Sequence, residues 1–276
     1  MPLQLHWRGA TGLPVAAEGL APATLASLSA AERDRWPLRV GNRAVPLAEL
    51  FQIEGSIDDG HLVLEGDLRQ VRQLGRGMSS GRLTIRGNVG TELGAEMTGG
   101  LIEVEGSVGD WAGAALGGGL IRIKGNGGNF LGAAYPGSRI GMSEGVILVE
   151  GNVGDDTGLA MRRGLIAVAE GAGIGLGRGL IAGSIFTFGP VGRLAGAGMK
   201  RGTLAFFGLP EPSTPELLPT FAPSGRWRLP FLTIYLRRLR QWGFPVPEPA
   251  FSVPLDRYNG DLGTRGQGEV LVAIAS

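Results

Sequence analysis

The chain has 276 residues, 50 of them glycine, no cysteine, two histidines, and 26 basic against 25 acidic side chains. The missing cysteine excludes disulfides, iron–sulfur ligation and a thiolate nucleophile, and the near-neutral charge gives no reason to expect a nucleic-acid or membrane-surface partner. Glycine this frequent, without a three-residue period or abundant proline, excludes a collagen-like helix and points to another repeat.

Residues 1–59 are expected to cap the first repeat, because an open end of a repeat array exposes strand edges. They carry a weak helical pattern from Thr24 to Trp36 and a hairpin pattern from Leu38 to Val45 around Gly41-Asn42. Arg8, Pro14 and Glu18 interrupt the start before any signal-like apolar run forms, and no segment reaches transmembrane length. A cytoplasmic location is the expectation.

Residues 60–207 carry the repeat. Glycines at 81, 100 and 119, then at 145, 164, 183 and 202, are spaced by 19 residues, except for a step of 26 between Gly119 and Gly145. That step contains a seven-residue insertion around Ala134-Tyr135-Pro136-Gly137-Ser138-Arg139-Ile140. Further glycines recur six, nine and thirteen residues after most leading glycines, as in Gly106, Gly109 and Gly113, with Glu170 where glycine is expected. Such fixed glycines suit corners that need positive φ or close stacking on the next repeat.

After each leading glycine a short strand is expected, with the second and fourth residues pointing inward: Leu83/Ile85, Ile102/Val104, Ile121/Ile123, Ile147/Val149, Ile166/Val168, Ile185/Thr187 and Leu204/Phe206. The intervening residues then face outward. Glu65, Arg86, Glu105, Lys124 and Glu150 alternate in sign from repeat to repeat, which predicts parallel in-register stacking with Glu105 between Arg86 and Lys124. Further on, Phe186, Phe188 and Phe207 take over this outward face and require a cover, from the chain's own tail or from another protein.

Every methionine except the first lies three residues before a leading glycine, at Met78, Met97, Met142, Met161 and Met199. An unbranched side chain filling a corner gap accounts for the stripe better than a cofactor site does. Both histidines, His6 and His61, fall outside the regular repeats, so no metal or catalytic residue is expected in this chain.

Residues 208–276 form a proline-rich linker, Pro210 to Pro223, and a C-terminal arm. A helix is predicted from Pro230, with Phe231, Ile234, Tyr235, Leu239 and Trp242 on or near one face. Arg226, Arg228, Arg237, Arg238 and Arg240 make this the most basic segment.

The tract from Gly75 to Phe207, with its repeated G-x-x-G-x-x-x-G and the loop Ala134-Tyr135-Pro136-Gly137-Ser138-Arg139-Ile140-Gly141-Met142, resembles the C subunit of formylmethanofuran dehydrogenase and its counterpart in the formyltransferase/hydrolase complex of methylotrophs. The same repeats occur in the C-terminal domain of the glutamate synthase large subunit. The resemblance implies an all-β fold, a right-handed parallel β-helix with 19-residue coils. It implies a non-catalytic scaffold in one-carbon metabolism beside amidohydrolase-like, formyltransferase and dehydrogenase-like subunits, with metals and a methanofuran-type carrier on those partners and no cofactor in this chain. The arginine-rich composition, with only Lys124 and Lys200 as lysine, favours the bacterial complex over the archaeal dehydrogenase.

On this resemblance, Tyr135, Met142, Phe186, Phe188 and Phe207 are candidates for a partner interface. Arg139, Arg162, Arg163, Arg237, Arg238 and Arg240 are candidates for holding a polyanionic carrier tail, since guanidinium groups pair bidentately with carboxylates. Other readings fit less well. A glutamate synthase would need its nucleophilic cysteine, a hexapeptide acyltransferase a coil divisible by six, and a calcium-binding solenoid more turn aspartates than Asp110, Asp155 and Asp156.

Overall fold

The computed structural model describes residues 2–9, 11–208 and 215–274; part of the proline-rich linker, 209–214, lies outside them. Strands dominate. The repeats contribute β6 (His61–Glu65), β8 (Arg82–Arg86), β9 (Leu101–Val104), β10 (Gly117–Ile123), β11 (Glu144–Val149), β12 (Leu165–Val168), β13 (Ser184–Thr187) and β14 (Arg201–Phe206). Each pairs with the next in parallel, and the register is the one the glycine spacing predicts: Leu83, Ile102, Ile121, Ile147, Ile166, Ile185 and Leu204 are successive partners. All seven are fully buried.

The ladder does not stop at the ends of the repeat. Strand β1 (Leu3–Trp7) adds in parallel to β6 with Leu3 opposite Leu62, and β17 (Gln267–Ala273) adds in parallel to β14 with Gly268 opposite Gly202 and Val270 opposite Leu204. Beyond them the pairing turns antiparallel. β5 (Phe51–Glu54) closes one edge against β1, while β16 (Leu255–Gly260) and β15 (Ala222–Trp227) close the other, giving one 13-stranded sheet of mixed orientation. Residues 1–59 are thus more than a cap, since they supply a rung of the main ladder.

The expected helix from Thr24 to Trp36 is two short ones, α1 (Pro22–Ala26) and α2 (Ala30–Asp34). Ser29 separates them by starting α2 with a capping box: its hydroxyl accepts from the Glu32 N–H while the Glu32 carboxylate accepts from the Ser29 N–H. The hairpin forms as predicted, β3 (Pro37–Val40) against β4 (Arg43–Pro46). Together with β2 (Val15–Ala16) and β7 (Val71–Arg72) it makes a second, four-stranded sheet. Strand β4 leads through α3 (Leu47–Leu50) into β5.

The corner glycines divide by physical cause. Gly100, with φ +94°, occupies the left-handed region that side chains avoid. Gly106 has no such φ, but a Cβ there would lie 2.5 Å from the carbonyl oxygen of Gly87 in the preceding repeat. The methionine stripe joins this pattern, because the Met97 methyl packs 2.5 Å from where a Gly119 side chain would begin, and Met142 does the same at Gly164. Methionine fills the hollow that glycine leaves.

Two features carried no glycine signal. Glu92, Trp111 and Phe130 hold the left-handed conformation, at φ +62°, +65° and +59°, at the same place in successive repeats. Their N–H groups donate to Asp110, Asn129 and Asp155 carbonyls one repeat ahead, at 2.8 to 2.9 Å, which offsets a conformational cost of about 1–2 kcal/mol each. Beside them, side-chain oxygens replace backbone acceptors: Asp110, Asn129 and Asp155 each accept from the N–H of Asn129, Asp155 and Ile174 at 2.7 to 2.8 Å. A second such ladder runs from Asn88 through Ser107, Asn126 and Asn152 to Gly171. The few turn aspartates therefore serve the stacking itself.

Candidate partner-facing surface

The outward face of the sheet has two halves. Over β6 to β10 it is polar, and a hollow of about 370 Å³ is lined by His61, Arg82, Arg86, Glu103, Arg122 and Lys124. Register places Glu105 between Arg86 and Lys124 as expected, since Ile85, Val104 and Ile123 are partners just before them. One ion pair follows this row, Arg86 with its direct cross-strand neighbour Glu65. The others run diagonally: Arg82 reaches Glu103 at 2.5 Å, and Arg122 reaches Glu150 at 2.8 Å. Glu105 has no ion-pair partner among the described residues. His61 shares a hydrogen bond of 3.0 Å with the Thr84 hydroxyl, and burial, then the nearby Arg82 charge, push its pKa below the usual histidine range.

Over β12 to β14 the face is apolar and roofed by the chain itself. Helix α4 (Pro230–Gln241), opened by its proline, lays Leu232, Leu236 and Leu239 against Phe186, Phe188 and Phe207, and Phe244 and Val246 extend the cover. Phe188 stacks on Phe207 at 4.7 Å, and Phe186 meets Phe207 and Tyr235 edge-on at 6.3 and 5.6 Å. Arg122 ties the two halves together: besides Glu150 it donates to the Gly243 carbonyl at 2.9 Å, just past the helix.

Of the two covers expected for the phenylalanines, the chain's own arm is the one found. Phe186, Phe188 and Phe207 are buried inside the chain, as is Met142, so none of the four offers a surface to a partner. Tyr135 remains half-buried. It stacks on Trp111 at 5.3 Å, Trp111 stacks on Phe130 at 4.4 Å, and the Tyr135 hydroxyl donates to Glu92 at 3.3 Å. Burial, reinforced by the Glu92 charge, pushes the phenol up to about 12. The inserted loop is thereby pinned back onto earlier repeats at Tyr135, while Arg139 in the same loop stays exposed.

The six arginines do not form one cluster. Arg163 and Arg238 come together on a groove of about 770 Å³, whose floor is the glycine column Gly119, Gly145, Gly164 and Gly183 and whose wall is α4. Arg162, Arg139 and Arg237 are exposed without a described ion pair, and Arg240 is taken up locally, donating to the Val246 carbonyl and Glu248 and lying 4.4 Å over the Phe251 ring. Of the apolar residues expected on or near one face of α4, Leu239 is buried together with Leu232 and Leu236, while Phe231, Ile234 and Tyr235 are exposed. Among the described residues no group of three or more His, Asp or Glu is placed to hold a metal ion, and no helix is long and apolar enough to cross a membrane.

No family model matches the chain. Over 82 residues, 29% of its length, it is 38% identical to the C subunit of the molybdenum-containing formylmethanofuran dehydrogenase 1 of Methanothermobacter marburgensis, and equally to that of Methanothermobacter wolfeii. The match spans only 20% of those curated relatives. A chain in the crystal structure of the formyltransferase/hydrolase complex from Methylorubrum extorquens in complex with methylofuran is similar from end to end, with a TM-score of 0.89 and 33% identity over 99% of this chain and 100% of that one. With that coextensive likeness and the two dehydrogenase matches together, the chain belongs to the family formed by the C subunit of formylmethanofuran dehydrogenase and its counterpart in the formyltransferase/hydrolase complex.

Proposed function

We propose that this chain is the non-catalytic scaffold of a cytoplasmic formyltransferase/hydrolase-type complex of one-carbon metabolism, built as a right-handed parallel β-helix. The observation that carries the reading is the end-to-end likeness to a chain of such a complex. The parallel pairing that runs from β1 through β14 to β17 supports the helical winding, since the repeat strands β6 to β14 pair in chain order, each with the next. Amidohydrolase-like, formyltransferase and dehydrogenase-like subunits are its proposed partners, and the metals and the methanofuran-type carrier belong to them. Coverage favours the bacterial complex over the archaeal dehydrogenase, whose C subunits match over a fifth of their length.

The exposed arginines Arg139, Arg162 and Arg237, none with an ion-pair partner among the described residues, are proposed to attract the carrier's polyanionic tail. Purification of the tagged chain from its native host tests the scaffold role. Catalytic subunits should accompany it, and turnover of the formylated carrier should belong to the assembly and be absent from the chain alone. A chain that purifies without them, or that turns over the carrier by itself, overturns the reading.

A further inference from the structure

Helix α4 has more apolar surface than its own packing uses. Leu232, Leu236 and Leu239 face the sheet, and a single apolar stripe of this kind is what a docked surface helix needs. A second stripe runs beside it at i, i+3 and i+4, Phe231, Ile234 and Tyr235, with Arg238 at i+7 lying over Trp242, which caps the helix and packs partly against the core. Ile234 is 71% exposed, and Phe231 and Tyr235 are 43% and 41% exposed, a contiguous patch of the kind that marks an interaction site. Ile234, Tyr235 and Trp242 also form the wall of the 770 Å³ groove, whose glycine floor lets a second backbone come close.

The charge around this stripe selects the occupant. Arg163 and Arg238 line the groove with Glu144 as its one acidic residue, and Arg162, Arg228 and Arg237 are exposed on the same two segments of chain. A second copy docking face to face about a two-fold axis would set basic rim against basic rim, because such an interface uses the same patch twice. A bare polyanion would satisfy the arginines and leave the apolar stripe in water. A protein segment with a large apolar side chain flanked by acidic residues satisfies both, filling the groove centrally and pairing at the rim, as interface anchors do.

We infer that the outer stripe of α4 and the glycine-floored groove beside it are the docking site for an acidic, apolar-anchored segment of one catalytic partner. This rests on the scaffold reading. The test places a photoreactive benzoylphenylalanine at Ile234 in the tagged chain, expressed in the native host and irradiated as the intact complex. Crosslinking to one segment of one catalytic partner, with an apolar residue beside Asp or Glu, is the expected result. Ile234→Asp should then lower the amount of that partner retained by about tenfold or more, while the variant keeps the parent's thermal midpoint because the side chain is exposed. Crosslinks to a second copy of this chain, to the carrier tail alone, or to nothing in a complex that still holds its catalytic subunits overturn the docking site and leave the scaffold role intact. If the parent chain retains no catalytic partner at all, the scaffold reading itself has failed.

Discussion

The two halves of the outward sheet face share a backbone and differ in what stands on it. Arg122 and Phe186 lie in one lateral row of the ladder, linked through Leu148 and Ala167, yet Arg122 lines a polar hollow and Phe186 a closed core. The inward column is nearly invariant in character along the whole sheet, so it specifies the ladder and nothing else. The outward residues decide what the ladder carries: the polar half stays open and the apolar half recruits its own helix.

The largest expected effect lies in the covered half. Phe188→Ala removes a ring stacked on Phe207 and tilted against Phe244, and should lower stability by about 3–5 kcal/mol in denaturant unfolding. Glu105, at the same place in its repeat within the open half, should change stability by less than about 0.5 kcal/mol when replaced by alanine. Equal losses at the two positions would break the distinction.

Arg122 sits at the seam, and its loss should fall between these. Arg122→Ala removes charge-assisted bonds to Glu150 and to the Gly243 carbonyl and should cost about 1.5–3 kcal/mol, with faster hydrogen exchange in α4 than in β8. Uniform exchange in both elements would show that Arg122 does not join the halves.

The loop anchor gives a pH-dependent contrast. The Tyr135 phenol is raised from 10.0 to about 12 in the fold, so the neutral form is favoured there. Its contribution is fully present below the unfolded value near 10 and is lost as the pH climbs through about 12. Phenolate absorbance followed with pH should show one late-titrating tyrosine that Tyr135→Phe removes, and protease cleavage of the loop should increase over the same range. In the open half, Arg82→Ala should cost only about 0.2–1 kcal/mol, and the difference should shrink further in high salt, because the Arg82–Glu103 pair is half exposed.

The repeat was legible because inward β-branched residues alternate with period two and the glycines mark both left-handed corners and close stacking. The ends were less so. Strand β17 carries the same spacing, Gly268 followed by Val270 and Val272, and that signal could have identified it as a further rung. Strand β1 offers only Leu3 and Leu5, too little to register without its partner. The left-handed corners at Glu92, Trp111 and Phe130 were invisible, because hydrogen bonds between repeats hold them where glycine would otherwise be required. The inward face of α4 was not legible for a different reason: two apolar stripes lie side by side on the helix, and periodicity cannot say which one the sheet takes. The arginine candidates shared only their charge, and three-dimensional placement brought just Arg163 and Arg238 onto one groove.

The asparagine–aspartate ladders cross the 26-residue step without a break, since the Asn152 and Asp155 N–H groups donate to the side-chain oxygens of Asn126 and Asn129 as if nothing had been inserted. Length can therefore change in two independent ways. A loop extruded at the Tyr135 corner alters the surface and leaves every rung in place, whereas a whole repeat added or lost moves everything beyond it by one strand spacing, about 4.8 Å. The ladder is a scale graduated in that unit, and the distance along it from the polar half to α4 is set by counting repeats.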